Sequence, residues 1–310
     1  MAKTRALKRR IRSIENTRKI TRTMEMVSTS KLKRAQEHVS GARPYAQALA
    51  AAIADLMTPE LAERFPLLRR PASPDKGGPT RAAVLLITSN RGLAGAFNAN
   101  LIRMARSRVR ELEQAGYTVD LLAVGKKGIK FFQYARRSLA LSRMDIGDRP
   151  TAHHAMEIVA PLMAEYEAGR LASLDVVYAH FKSALSTPPA TLRVLPVETD
   201  APAHERTGAP ATAARAAPAT RPSAANYILR PGADEILGSL LPLYVRNQVY
   251  RALVETAASE HGARRTAMKN ATDNAGEMLA LLTRTFNRAR QGQITQEIAE
   301  IVGGAAALQG

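Results

Sequence analysis

From Leu243 almost to the C-terminus of this 310-residue chain, apolar and small side chains recur in helical register without a stop signal. Met268, Thr272, Ala275, Leu279, Leu282, Phe286 and Ala289 keep a strict alternation of four and three, and Ile294, Ile298, Ile301, Ala305 and Leu308 continue it one position out of phase. That period belongs to an amphipathic α-helix. Taken as one helix, residues 243–308 rise about 100 Å at ~1.5 Å per residue, wider than a compact domain of this size. A helix of that length has to project from the body that carries it, and its stripe needs a partner. Gly262, Gly276, Gly292, Gly303 and Gly304 oppose it at ~1 kcal/mol each relative to Ala, so close packing has to compensate or the last turns fray.

The other long amphipathic stretch lies at the opposite terminus. Residues 3–57 read as mostly helix, with Leu7, Ile11 and Ile14, then Ile20, Met24 and Val27, at spacings of three and four. Between Ile14 and Ile20 the stripe slips by six, so the apolar face is expected to drift around the axis. Gly41 and Pro44 are expected to kink or interrupt the helix before its Ala-rich half from Tyr45 to Met57. Because one helix leads into the intervening region and the other leads out, the two pair antiparallel from a common base.

The region between them changes period after a proline-rich break. Ala82–Ile87 (AAVLLI) is a short continuous apolar run, the mark of a strand covered on both faces. Helix is predicted over Phe97–Ala115, strand over Val119–Val124, helix over Lys126–Arg137 and Thr151–Glu167, and strand over Leu174–Phe181, with Leu192–Val197 as one more strand. Strands alternating with helices give an α/β class with a mostly parallel, Rossmann-like sheet. Residues 201–225 hold eleven Ala and four Pro with almost no large apolar side chain, the composition of an extended linker. The expected organisation is a coiled-coil helix over 1–58, a central α/β domain over 80–200, a Pro/Ala-rich linker over 201–232 and a second coiled-coil helix over 233–310.

The formal net charge of +18 is concentrated at one end: residues 1–34 carry +10, residues 243–310 only +2, and the middle the remaining +6. A strongly basic chain implies an acidic, polyanionic or membrane-associated partner. A nucleic-acid arm is one reading, although no aromatic residue precedes Tyr45 to serve as a stacking platform. With no Cys there is no disulfide, thiolate metal site, cysteine nucleophile or redox dithiol, and the six His show no two-ligand helical spacing, so no metal is expected. No apolar run approaches the roughly 18 residues of a bilayer span.

The segment Ser89–Asn98 (SNRGLAGAFN) follows a predicted strand and precedes a helix, where α/β proteins bind phosphates. The spacing of Gly92 and Gly95 fits neither GxGxxG nor GxxxxGK[ST], so a tight turn using glycine conformations is the better reading, and no cofactor is expected. No nucleophile elbow and no carboxylate pair stands out as an acid/base couple. A cytosolic nucleotide-binding enzyme remains the third class beside a coiled-coil protein and a nucleic-acid binder.

Three segments together are similar to one family. The helix bearing MVSTSKLKRA (Met26 to Ala35), the loop SNRGLAGAFN, and SEHGARRTAMKNATDNAGEMLALLTRTFNRARQGQITQEIAEIVGGAAAL (Ser259 to Leu308) resemble, in order and placement, the gamma subunits of F-type ATP synthases. That resemblance implies a rotor without catalytic residues of its own. Its coiled coil stands inside a ring of three alpha and three beta chains, and its base sits on the membrane c ring and carries epsilon. Membrane contact is thus indirect, at the cytoplasmic side of the cell inner membrane, and no nucleic acid is involved. Family contact positions for the beta chains fall on Met26, Lys31, Arg264, Arg290, Gln291 and Thr295, with Lys33, Arg34 and Arg265 added as charged neighbours. Small residues from Gly303 to Ala307 are expected to present a smooth tip to an apolar sleeve. Where family members often have Cys and Gly, this loop has Ala94 and Ala96, and the absence of Cys excludes the thiol switch of chloroplast members.

Overall fold

A computed structural model of the chain describes residues 2–56, 63–72, 74, 77–197 and 232–309. The expected 201–232 linker lies, except for Gly232, outside the described residues. Ten elements follow in order: α1 (Ala2–Leu56), β1 (Arg81–Ile87), α2 (Phe97–Gln114), β2 (Thr118–Val124), α3 (Lys126–Tyr134), β3 (Leu141–Arg143), α4 (Ala152–Glu167), β4 (Ser173–Ala179), β5 (Pro189–Leu195) and α5 (Ala233–Gln309). The chain divides into two compact units, one of Lys31–Ala263 and one of Met1–Ser30 with Arg264–Gly310.

The larger unit is built on a five-stranded sheet of order β3-β2-β1-β4-β5. β1 pairs parallel with both β2 and β4, and β2 parallel with β3, while β5 returns antiparallel beside β4. Ala179 and Pro189 are too close in sequence for a crossover helix, so the chain can only fold back. Strand period two sends alternate side chains to opposite faces. Ala83, Leu85 and Ile87 of β1 point with Leu174, Val176 and Tyr178 of β4 into a core closed by α4, by Leu49 and Ile53 of α1, and by Leu237 to Leu253 of α5. Ala82, Val84 and Leu86 face the other way, against Phe97, Leu101, Ala105, Val109 and Leu112 of α2 and Phe132 of α3. Each such Leu, fully removed from water, contributes roughly 1.5–3 kcal/mol. The first part of α5, expected to project, is therefore core of the α/β body, as is the second half of α1. Leu32, Ala35 and Val39 of α1 meet Phe181 and Val254 and Ala258 of α5 in a third, smaller cluster.

One helix feature differs from the sequence expectation. α1 runs through Gly41 and Pro44 without interruption. Pro44 lies on the exposed side, where water can take the carbonyl left unpaired because proline has no N–H. α4 begins with a reciprocal cap: the Thr151 hydroxyl accepts from the His154 N–H, and the His154 ring accepts from the Thr151 N–H. His153 instead lies 3.3 Å from Glu157 one turn on, so the adjacent histidines serve the first turn of a helix.

The smaller unit is an antiparallel helix pair. Thr4 donates to Gln293 at 3.1 Å, Arg18 lies beside Gly276, and Thr272 donates to Thr21 at 2.8 Å, so α1 positions rise as α5 positions fall. The α5 stripe from Met268 to Ala289 lies at the seam as its spacing requires. The α1 stripe does not drift. Its inner side continues from Leu7, Ile11 and Ile14 to Thr21 and Ser28, heptad steps filled by small polar residues. Ile20 and Val27, taken for the stripe, are exposed, as are Ile294, Ile298 and Ile301.

Candidate functional site

The loop after β1 occupies the carboxyl edge of the sheet, where an open α/β sheet places its ligands. Its polar groups are spent on the protein itself. The Thr88 hydroxyl donates to the Val124 carbonyl and accepts from the Gly128 N–H, each at 3.0 Å. Asn90 donates to the carbonyls of Met144 and Ile146 and accepts from the Lys126 N–H, while the Lys127 N–H donates to the Ser89 carbonyl. Ser89 and Asn98 bond each other across the loop. The first-turn amides of α3 thus tie that helix to the loop after β1. Gly95 has the left-handed backbone expected of the turn, at φ 59°. Gly92 does not; the other left-handed position of the loop is Leu93, at φ 63°. The glycines this edge depends on are Gly125 and Gly128, which sequence reasoning missed: a Cβ on Gly125 would lie 2.0 Å from the Thr88 carbonyl oxygen.

A cleft of about 580 Å³ opens at the same edge, bordered by Arg91, Asp145, Asp148, Arg149 and Glu260. The hydrogen bond from Arg143 holds the Asp145 carboxyl down at about 2. Asp148 reaches out of the loop after β3 to both long helices. Its carboxylate is paired with Lys31 of α1 and lies 3.9 Å from the buried His261 ring of α5. Burial pushes that carboxyl up, but the hydrogen bond from Lys31 and the fields of His261 and Arg91 outweigh it, leaving it below the ordinary range.

A second anchorage ties α5 to the end of β4. Buried Glu255 accepts from the Phe181 N–H and from Arg251, and its carboxylate lies 2.7 Å from the His180 ring. Burial raises the Glu255 carboxyl, and the His180 bond and Arg251 bring it below its ordinary value. Thr256 accepts from the Ala179 N–H, and Ser259 donates to the Ala179 carbonyl. Val249, Ala252, Glu255, Thr256 and Ser259 share one face of α5 at spacings of three and four, so polar residues on an otherwise apolar stripe were the available signal.

The residues expected to meet a partner divide into two sets. In the smaller unit Met26 is 59% exposed on α1, and Arg290, Gln291 and Thr295 are exposed on one stretch of α5, with the Thr295 hydroxyl donating to the Gln291 carbonyl. Arg265 is half-buried and Arg264 is only 7% exposed, so Arg264 is not presented as a surface charge. In the larger unit Lys33 and Arg34 are exposed, but Lys31 is committed to Asp148. Gly303 is exposed, and the side chains from Gly304 to Ala307 lie outside those described. Of fifteen exposed large apolar residues among those described, nine sit on the helix pair: Ile20, Met26 and Val27 of α1, and Met278, Leu281, Ile294, Ile298, Ile301 and Val302 of α5.

Comparison with known proteins gives this arrangement a family. A family model described as ATP synthase matches residues 3–308. An ATP synthase gamma chain of Gemmatimonas aurantiaca is 57% identical over 310 residues, covering all of both chains. Gamma chains of Moorella thermoacetica and Leptospira biflexa are 42% and 41% identical, covering 100% and 99% of this chain and all of their own. Among solved structures, a chain of the Euglena gracilis mitochondrial ATP synthase (OSCP/F1/c-ring, rotational state 3) superposes with a TM-score of 0.67 at 19% identity, covering 99% of this chain and 95% of that one. A chain from the central stalk and c ring of the Tetrahymena thermophila enzyme gives 0.55 at 22% identity, covering 81% and 99%. At such identities these two speak to the fold alone. The end-to-end match to curated relatives decides the rest: the chain belongs to the ATP synthase family as one of its gamma chains, the non-catalytic subunit of the central stalk.

Proposed function

We propose that the helix pair is the turning shaft of a rotary ATP synthase, seated inside the ring of alpha and beta chains, and that the α/β body meets epsilon and the c ring. The observation that carries this reading is the outer surface of the pair. Nine large apolar side chains stand exposed on it, although Leu7, Ile11, Leu279 and Phe286 already line its seam beside Thr21 and Thr272, so the surface is made to be covered by other chains. Ion flow through the c ring, of protons or sodium, turns the shaft, and the shaft forces the beta-chain sites through their states in turn. A shaft can do so only by binding those states with different energies, and its two unlike helices present a different surface at each angle. Arg290, Gln291 and Thr295 with Met26 supply the nearest contacts, and Lys33, Arg34 and Arg265 add charge toward acidic loops. Exposed pairs of this kind contribute about 1 kcal/mol or less each, so shape has to do the rest. The chain works peripherally, at the cytoplasmic face of the cell inner membrane; no described helix is long and apolar enough to cross one.

Replacing Arg290, Gln291 and Thr295 together by Ala tests the assignment. Coupled ATP synthesis or assembly is expected to weaken, with nucleotide binding by isolated beta chains unchanged. An assembled complex that synthesises ATP at the unaltered rate removes these three residues from the contact.

A further inference from the structure

The shaft explains the charge of residues 1–34 but not the +6 of the middle of the chain. Part of that excess is gathered in one place. α2 and α3 lie side by side on the sheet, and between them runs an open groove of about 550 Å³. Arg103 and Arg106 stand along its α2 side, one turn apart; Lys127 and Lys130 stand along its α3 side at the same spacing. The floor between the two rows is apolar, formed by Ile102 and Phe131, and Tyr134 stands at 90% exposure on the rim.

Nothing among the described residues neutralises these cations. α3 contains no acidic residue. The two carboxylates of α2 are already taken, Glu111 by Arg108 and Glu113 by Arg137. None of the four groove cations has an ion-pair partner among the described residues; Arg106 merely rests over the Phe131 ring at 5.9 Å. Nor does the chain supply an obvious occupant, since residues 198–231 hold four Arg against three carboxylates. Two parallel rows of unpaired cations around an apolar floor raise each other's energy in the empty state, and an occupant with negative charge on both flanks and an apolar middle relieves both defects.

We propose that the α2–α3 groove docks an acidic, amphipathic segment of a partner protein, carboxylates against the two cation rows and an apolar side chain on Ile102 and Phe131. A peptide fits better than a membrane or a duplex, because the surface is concave. Anionic headgroups and phosphate backbones are met by protruding cations, and neither offers an apolar group to a recessed floor. The inference stands apart from the shaft reading, since no residue of the groove lies on the helix pair.

The test uses the full-length chain and a fluorescent synthetic peptide of glutamates interspersed with leucine, followed by anisotropy across a salt series. The intact chain is expected to bind it, with affinity falling as salt rises. In the Arg106→Glu, Lys130→Glu double variant affinity is expected to drop about tenfold or more, two exposed attractions having become repulsions. The charge-preserving pair Arg106→Lys, Lys130→Arg is expected to retain binding. Both side chains are exposed, so the variants should melt with the parent, and a melting comparison accompanies each titration. Equal affinity in the double variant overturns the proposal, since the peptide would then sit on the basic shaft. So does the absence of peptide binding at low salt, or charge-reversal-sensitive binding of phosphatidylglycerol vesicles or duplex RNA in its place.

Discussion

Asp175 sits in the middle of β4, 1% exposed, with Arg108 of α2 and Arg193 of β5 bonded to its two oxygens at 2.9 and 3.0 Å. Replacing it by Ala removes the shared counter-charge of two partly buried guanidinium groups and is expected to cost about 3 kcal/mol, read as a lowered denaturant midpoint. Asp148 is another acid with a distant partner. Because its carboxyl is held below the ordinary value, the stability it lends is complete at neutral pH and drains away as pH falls through that lowered value. Asp148→Asn should therefore lower stability at pH 7 and flatten its decline in acid, measured by melting at a series of pH values. An unchanged acid slope would place the pH dependence elsewhere. Asp175 was visible in the sequence as a charge between Leu174 and Val176, whereas Asp148, between Gly147 and Arg149, carried no such mark. Their partners were not visible there, since Arg108 is 67 residues from Asp175 and Lys31 117 from Asp148, and only the sheet order brings them together.

At the level of elements, period did most of the work. β1, β2 and β4 follow directly from short apolar runs, and both long helices from spacings of three and four. β3 escaped notice because three residues at the sheet edge, only partly buried, leave no pattern to detect. The seam of α1 was misread for a physical reason: hydrophobicity was followed where geometry rules. Thr21 and Ser28 are inside because the heptad puts them there, and Thr272 of the partner helix bonds Thr21. The Thr21–Thr272 bond should be measurable. Thr21→Val and Thr272→Val are each expected to lower hydrogen-exchange protection of residues 2–30, and the double variant to lose less than the sum, by about 1 kcal/mol of coupling. Strict additivity would mean the two hydroxyls do not depend on each other. The proposed contact positions rest on family resemblance alone, because an exposed Arg290 looks like any solvated helix face.

For the molecule as a whole, each unit presents its own kind of exposed surface. The helix pair carries exposed apolar residues together with the N-terminal run of cations, and the α/β body carries the groove of unpaired cations between α2 and α3. Leu281→Glu with Ile298→Glu should leave the fold intact, since both are already exposed, and yet sharply reduce recovery of the chain with alpha and beta subunits in a pull-down. Normal recovery would show that the sleeve does not rest on those side chains. The same exposed residues also bear on supply. A shaft whose surface is unfit for water has no settled existence before its ring closes around it, and any copy made in excess is drawn toward self-association, chaperones and proteases. Synthesis of this chain therefore has to be metered against that of the subunits that enclose it.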